Sequence, residues 1–192
     1  MRTLLERLGW PARARVGVLA LQGGYAAHAR ALAALGHTVS EVREAAQLDA
    51  IDALVLPGGE STAQLRLIAR GGLEAPLDAY VSSGRFLFAT CAGLILAARE
   101  VTNPVQRSFG WLDVSVARNA WGRQLDSFEA VADDGTTRIV AIRAPKILRV
   151  GPGVETVVAL RGEPMLVRAG HVAGATFHPE LPADVPAITA SP

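Results

Sequence analysis

The sequence predicts an α/β fold of three layers, a mainly parallel sheet flanked by helices, with some antiparallel strands in the second half. Three observations carry this. Compact apolar runs alternate with helical stretches from Val16 to about Glu100. Turns rich in Gly follow several of those runs at their carboxyl ends. After about Val101 the pattern changes to short strands between turns.

Val16–Ala20 is a short apolar run suited to a buried strand, ended by Gly23-Gly24. Tyr25 to Leu35 is rich in Ala and Leu and reads as a helix closed by Gly36. Thr38–Val42 is a second strand and Ala53–Leu56 a third, stopped by Pro57-Gly58-Gly59. Ser61 with Gln64 three residues on has the form of a capping box, and Leu65 and Ile68 would face the core of the helix that follows. Leu77–Val81 belongs to the next helix, Arg85–Thr90 is a buried strand, and Ala92–Glu100 reads as a helix. Leu112, Val114 and Val116 alternate with polar residues, and Arg138–Ile142, Thr156–Leu160, Met165–Arg168 and Val172–Phe177 are short strands. No repeat or linker divides the chain, so residues 1–192 are expected to form a single domain. Residues 1–15 read as an appendage before the first strand, and the Pro- and Ala-rich residues 182–192 as a loose tail.

Bulk properties exclude several classes. A 50% hydrophobic chain can bury a core, and a net charge of +1 with dispersed basic residues carries no nucleic-acid or membrane-surface footprint. No run of about 20 apolar residues predicts a membrane span, and no leader-like segment is seen. The one cysteine, Cys91, rules out an intrachain disulfide framework and fits a reducing cytoplasm. His28, His37, His171 and His178 lack the spacing of a metal site.

The chemistry concentrates in three segments. In Phe86-Leu-Phe-Ala-Thr-Cys-Ala-Gly-Leu94 a buried strand runs into a tight turn at Cys91 and straight on into a helix. This is the cysteine form of a nucleophile elbow. A helix N-terminus favours a thiolate, and the Ala92 N–H, free in the first turn, can donate to an oxyanion. The competing reading is a small buried core cysteine. In Thr176-Phe-His-Pro-Glu180, Pro179 favours an extended His178, so that His178 and Glu180 project to one side as base and orienter. A surface turn bearing two unrelated polar groups is the alternative. Leu56-Pro-Gly-Gly-Glu-Ser-Thr62 is a glycine turn at the carboxyl end of a strand, where the N–H groups around Gly58 can complete an oxyanion hole. By itself it is compatible with an ordinary tight turn.

These segments together resemble the triad-type (class I) glutamine amidotransferases, of flavodoxin-like fold. The likeness is greatest to the glutaminase subunits of pyridoxal 5′-phosphate synthase. It rests on Val18-Leu-Ala-Leu-Gln-Gly23, Leu56–Thr62, Thr90-Cys-Ala-Gly-Leu94, Arg118-Asn-Ala-Trp-Gly-Arg-Gln124 with Asp126-Ser-Phe-Glu129, Ile142-Arg-Ala-Pro145 and Phe177-His-Pro-Glu-Leu181. The resemblance implies that Cys91 is the nucleophile, His178 the general base and acid, and Glu180 its orienter. It implies that Gly59, Glu60, Ser61, Arg118, Ile142 and Arg143 bind L-glutamine, and that Gln22 joins Gly58 and Ala92 in the oxyanion hole. No cofactor or metal is implied. The implied partner is the barrel-fold synthase subunit PdxS, which would receive the ammonia for vitamin B6 synthesis.

Three departures stand out, the first being that residues 1–15 make a longer start than such chains usually carry. Ala89 occupies a position where such chains usually carry Gly, and residues 182–192 lack the further His and aromatic residue usual there. Open alternatives are a glutaminase of this fold serving another synthase, a catalytically silent interaction subunit, and a cysteine hydrolase or stress protein of similar fold.

Overall fold

A computed structural model describes residues 1–120 and 127–181. The sequence expectations for Trp121–Gln124, for Asp126 and for residues 182–192 lie outside the described residues. Strands β1 (Arg15–Leu19), β2 (Thr38–Val42), β3 (Ala53–Leu56) and β4 (Phe86–Thr90) are the expected apolar runs, and their pairings β1–β2, β1–β3 and β3–β4 are parallel. Helices α1 (Arg2–Arg7), α2 (Tyr25–Ala34), α3 (Ser61–Arg70), α4 (Glu74–Ser82) and α5 (Ala92–Ala97) pack around them. Strands β5 (Ala98–Thr102), β6 (Leu112–Ala117), β7 (Ser127–Val131), β8 (Arg138–Ile142), β9 (Lys146–Val150), β10 (Glu155–Leu160), β11 (Glu163–Ala169) and β12 (Val172–Ala175) follow.

Among the described residues the main sheet has seven strands in the order β10-β11-β12-β4-β3-β1-β2. Strand β12 joins β4 in parallel, while β11 and β10 continue the sheet antiparallel. Strands β5, β6 and β9 form a second sheet, and β7 with β8 a third.

The period-two alternation of strand side chains divides the core into two layers. Leu54, Leu56, Leu87 and Ala89 face a cluster with Ile68, Leu77 and Leu94 from α3, α4 and α5. Ala53, Val55 and Phe88 face the opposite cluster, with Leu4 and Leu5 from α1 and Leu32 from α2. Full burial of each such side chain contributes about 1.5–3 kcal/mol.

Three local expectations differ from the structure. Residues 1–15, read as an appendage, hold helix α1, whose Leu4 and Leu5, with Leu8 and Trp10 beyond, are buried. Trp10 lies 5.8 Å from Phe86 and 6.4 Å from Phe88, ring to ring. The helix expected over Ala92–Glu100 stops at Ala97. Ala98 turns extended (φ −62°, ψ 152°), and β5 pairs with β6, Val101 opposite Val116. The β-branched Val101 and Thr102 suit that sheet. Finally, Ser61 and Gln64 do not form a capping box. Glu60 is the N-cap of α3, and Gln64 turns inward to donate to the carbonyls of Pro57 (3.1 Å) and Gln22 (3.2 Å). A capping box does occur at Glu44 and Gln47, at the head of the 3₁₀ helix Ala45–Ala50.

Candidate active site

Cys91 stands between β4 and α5 with φ 50° and ψ −105°. A non-glycine residue held at positive φ costs free energy that the surroundings must over-determine. Here the Cys91 N–H donates to the Ala175 carbonyl at 2.8 Å, and the Cys91 carbonyl accepts the Ile95 N–H at 3.2 Å. The helix can start this abruptly because of Gly93. A Cβ there would stand 2.2 Å from the Leu56 carbonyl oxygen, a fixed backbone atom. Ala92 is the first residue of α5, so its N–H has no intrahelical partner. Cys91 itself is 6% exposed and its thiol points toward the Ile142 carbonyl at 3.9 Å.

The histidine arrives from the adjacent strand. β12 runs parallel to β4 with Ala175 opposite Thr90, so the chain beyond Ala175 and the elbow leave the same sheet edge together. The His178 N–H is anchored on the Val140 carbonyl at 2.8 Å. His178 Nδ1 and Glu180 Oε1 are 2.8 Å apart, and Glu180 is buried. The i, i+2 projection expected across Pro179 is therefore present. Burial pulls the His178 imidazole down, but its hydrogen bonds to Cys91 and Glu180 and the charges of both outweigh this and hold it up to about 10. Burial likewise raises the Glu180 carboxyl, while the His178 hydrogen bond and the neighbouring imidazoles leave it below its ordinary value.

The glycine turn closes on this pair. A Cβ on Gly58 would lie 2.4 Å from His178 Cε1 and 3.3 Å from Cys91 Cβ, so only glycine lets the turn pass over them. The Gly58 carbonyl accepts the Gly24 N–H at 2.9 Å, which turns the Gly59 N–H of the same planar peptide the opposite way. Gln22 supports the turn: its Oε1 accepts the Glu60 N–H at 3.0 Å. That bond fixes the orientation of the amide, because only the oxygen can accept. The Nε2 of Gln22 then has no partner among the described residues.

A cleft of about 300 Å³ opens beside Cys91 and His178, walled by Gln22, Gly59, Glu60, Ser61, Arg118, Ile142 and Arg143. That volume suits a small ligand. Gly58, Ala92 and Glu180 stand behind the wall and support it. Ser61 Oγ is held on Gln106 Oε1 at 2.9 Å, as is the Thr62 hydroxyl at 3.1 Å. Arg143, at φ 45°, reaches Glu60 Oε1 at 3.1 Å across the mouth. Arg118 follows β6 and its guanidinium has no partner among the described residues, so it is available to a ligand carboxylate. No group of three or more potential metal ligands occurs among the described residues, and no helix there is long and apolar enough to cross a membrane.

Comparison with known proteins decides the family. Residues 18–189 match the SNO glutamine amidotransferase family. The chain belongs to that family. It is 45% identical over 176 residues to the pyridoxal 5′-phosphate synthase subunit PdxT of Desulforudis audaxviator, covering 89% of this chain and 93% of that one. Its identity with the PdxT subunit of Koribacter versatilis is 47% over 174 residues, covering 88% and 90%. A crystal structure of a glutamine amidotransferase superposes with a TM-score of 0.81 at 44% identity, covering 86% of this chain and 90% of that one. The three-layer glutamine amidotransferase architecture expected from sequence is the one observed.

Sequence reasoning overlooked four residues of this site. Ile95 and Asn119 also line the cleft. Gln64, buried beneath the glycine turn, ties it to Gln22. His28, fully buried on α2, lies against Glu180. Its place one helical turn before the buried Leu32 is the signal that could have drawn attention to it.

Proposed function

We propose that this chain hydrolyses L-glutamine through a Cys91–His178–Glu180 triad and passes the ammonia to a barrel-fold synthase subunit, PdxS, that makes pyridoxal 5′-phosphate. On this reading residues 1–192 act as one glutamine amidotransferase domain in the cytoplasm, without cofactor or metal. The observation that carries it is the elbow cysteine beside an imidazole held 2.8 Å from a buried carboxylate, at the floor of a cleft whose arginine has no partner among the described residues.

The steps follow from that arrangement. The substrate α-carboxylate pairs with Arg118, and its α-amino group lies toward Glu60. The Cys91 thiol gives its proton to His178 as its sulfur forms a bond to the carboxamide carbon, and the carbonyl oxygen takes up negative charge facing the N–H groups of Ala92 and the glycine turn, with Gln22 Nε2 beside them. His178 gives its proton to the amide nitrogen, the carbon–nitrogen bond breaks, and ammonia leaves a γ-glutamyl thioester. His178 then takes a proton from water. The resulting hydroxide attacks the thioester, the carbon–sulfur bond breaks as His178 returns its proton to the departing sulfur, and glutamate leaves with the thiol restored. Glu180 keeps the imidazole in the tautomer that presents its other nitrogen to sulfur.

Glutamate release from L-glutamine, with and without the purified synthase subunit, tests this. Replacing Cys91 by Ala should abolish release while circular dichroism and Tm stay near those of the parent. Release by the Cys91→Ala protein at the parent rate would end the proposal.

A further inference from the structure

The triad reading accounts for every titratable group at the floor of the cleft, but behind it lies one that it does not use. His28 projects from α2 and is fully buried. Its Nε2 is 3.0 Å from Thr90 Oγ1 and 3.2 Å from Glu180 Oε2. Thr90 is the residue immediately before Cys91. One imidazole nitrogen therefore touches both the strand end that presents the sulfur and the carboxylate that orients His178. Glu180 divides its oxygens between two histidines, Oε1 to His178 and Oε2 to His28.

The tautomer follows from this packing. A proton on Nδ1 would leave a buried N–H with no acceptor, since that atom has no partner among the described residues, and would turn the Nε2 lone pair on the Glu180 carboxylate. A proton on Nε2 faces a carboxylate oxygen and a hydroxyl oxygen, both acceptors. Glu180 Oε2 makes no well-aligned hydrogen bond among the described residues, and a buried carboxylate oxygen so placed is costly, which makes the donor 3.2 Å away on His28 Nε2 the group that compensates its charge. The titratable groups that act on His28 are Glu180 and His178, and those on Glu180 are His178 and His28. Burial, opposed in part by Glu180 and reinforced by His178, holds His28 down to about 4, so it is neutral at working pH and acts as a dipole rather than a charge.

We infer that His28 is a positioning residue, a neutral Nε2–H donor that fixes the second oxygen of Glu180 and ties it to the strand carrying the nucleophile, making the triad a four-residue line. The inference rests on the triad reading. It is distinct from a packing role, because it predicts a pH signature as well as a rate effect.

The test compares His28→Leu, His28→Asn and His28→Gln, assayed by glutamate release in the complex with the synthase subunit, with Cys91→Ala alongside. Leucine fills the space without a donor. Glutamine places an N–H near the former Nε2, and asparagine places one near the former Nδ1. His28→Leu should lower kcat about tenfold or more, with KM little changed, as expected for removing the polar group that faces a buried carboxylate. With its second oxygen unpartnered, the ionised Glu180 is less stable, so the acid limb of the kcat/KM profile should move to higher pH. His28→Gln should recover both parameters and His28→Asn should not. If His28→Leu does not fold, the Gln–Asn contrast alone decides. Equal kcat and one shared acid limb for Gln and Asn, or activity losses that track Tm with no shift of the limb, would overturn the positioning role. Parent-like hydrolysis by Cys91→Ala would instead overturn the triad on which that role depends.

Discussion

Substituting Gly58 by Ala adds one methyl group where the proposed base and nucleophile meet. The added Cβ would stand 2.4 Å from His178 Cε1 and 3.2 Å from its Nδ1. Carbon atoms rest at about 3.5 Å, so the ring must retreat by about 1 Å. It cannot do so in place, because Nδ1 is held 2.8 Å from a buried carboxylate and the backbone behind it is tied to Val140. The turn is equally constrained, with the Gly58 carbonyl on the Gly24 N–H and Gln64 beneath it. A displacement of about 1 Å at the reacting groups costs about a hundredfold in rate, so Gly58→Ala should lower kcat by about that factor. Stability should fall by only about 1–2 kcal/mol, the scale of one weakened hydrogen bond. Steady-state glutamate release with the synthase subunit present, beside a thermal melt, separates the two effects. A Gly58→Ala protein with parental kcat would show that His178 is not the working base, or that the turn moves freely away from it.

Other outcomes follow from the same geometry. Arg118→Ala should raise KM for L-glutamine about tenfold or more, through loss of a charge-assisted hydrogen bond, and should leave Tm unchanged because the guanidinium has no partner among the described residues; an unaltered KM would remove Arg118 from substrate binding. Leu4→Ala, at a buried site of α1, should cost about 2–5 kcal/mol in a denaturant titration, whereas a loss below about 0.5 kcal/mol, ordinary for a surface change, would mean that α1 is not part of the core. The imidazole of His178 is raised from 6.5 to about 10. A group raised in the folded state contributes fully below its unfolded value, so this contribution to stability should be complete below 6.5 and fade as pH climbs toward 10. Melts of the parent against His178→Gln across that window should converge at high pH, and parallel curves would contradict the assignment.

The sequence was most legible where chemistry and local geometry coincide. Cys91 sits between an apolar strand and small residues, and His178 and Glu180 flank a proline, so the elbow and the pair could be read from windows of a few residues. Where tertiary contacts decide, local patterns misled. Ala98–Glu100 looked like the end of a helix because Ala and Glu favour helices, yet pairing with β6, which no short window contains, makes Ala98–Thr102 a strand. β7 and β9 escaped notice because they bury so little: only Ile147 is buried in β9, and β7 is nowhere fully covered. Gln64 fitted a capping pattern, but the two carbonyls beneath the glycine turn needed a donor more than the helix end needed a cap. His28 was set aside as an unsuitable metal ligand, since the carboxylate it touches lies 152 positions further along the chain.

The pairing of β4 with β12 separates two tasks among different parts of the molecule. Both the sulfur and the imidazole depend on one parallel register in the main sheet, Ala175 beside Thr90. Several residues proposed to grip the amino acid come from elsewhere: Arg118 from the end of β6 in the second sheet, and Ile142 and Arg143 from the end of β8 in the third, while Glu60 follows β3 in the main sheet. Loops on those smaller sheets can be rebuilt without disturbing that register. Which molecule enters the cleft is thereby most freely adjustable at residues 118–119 and at the Arg143 side chain, whereas the backbone of β8, which holds the His178 N–H on Val140 and faces the Cys91 thiol with the Ile142 carbonyl, should be left untouched together with β4 and β12.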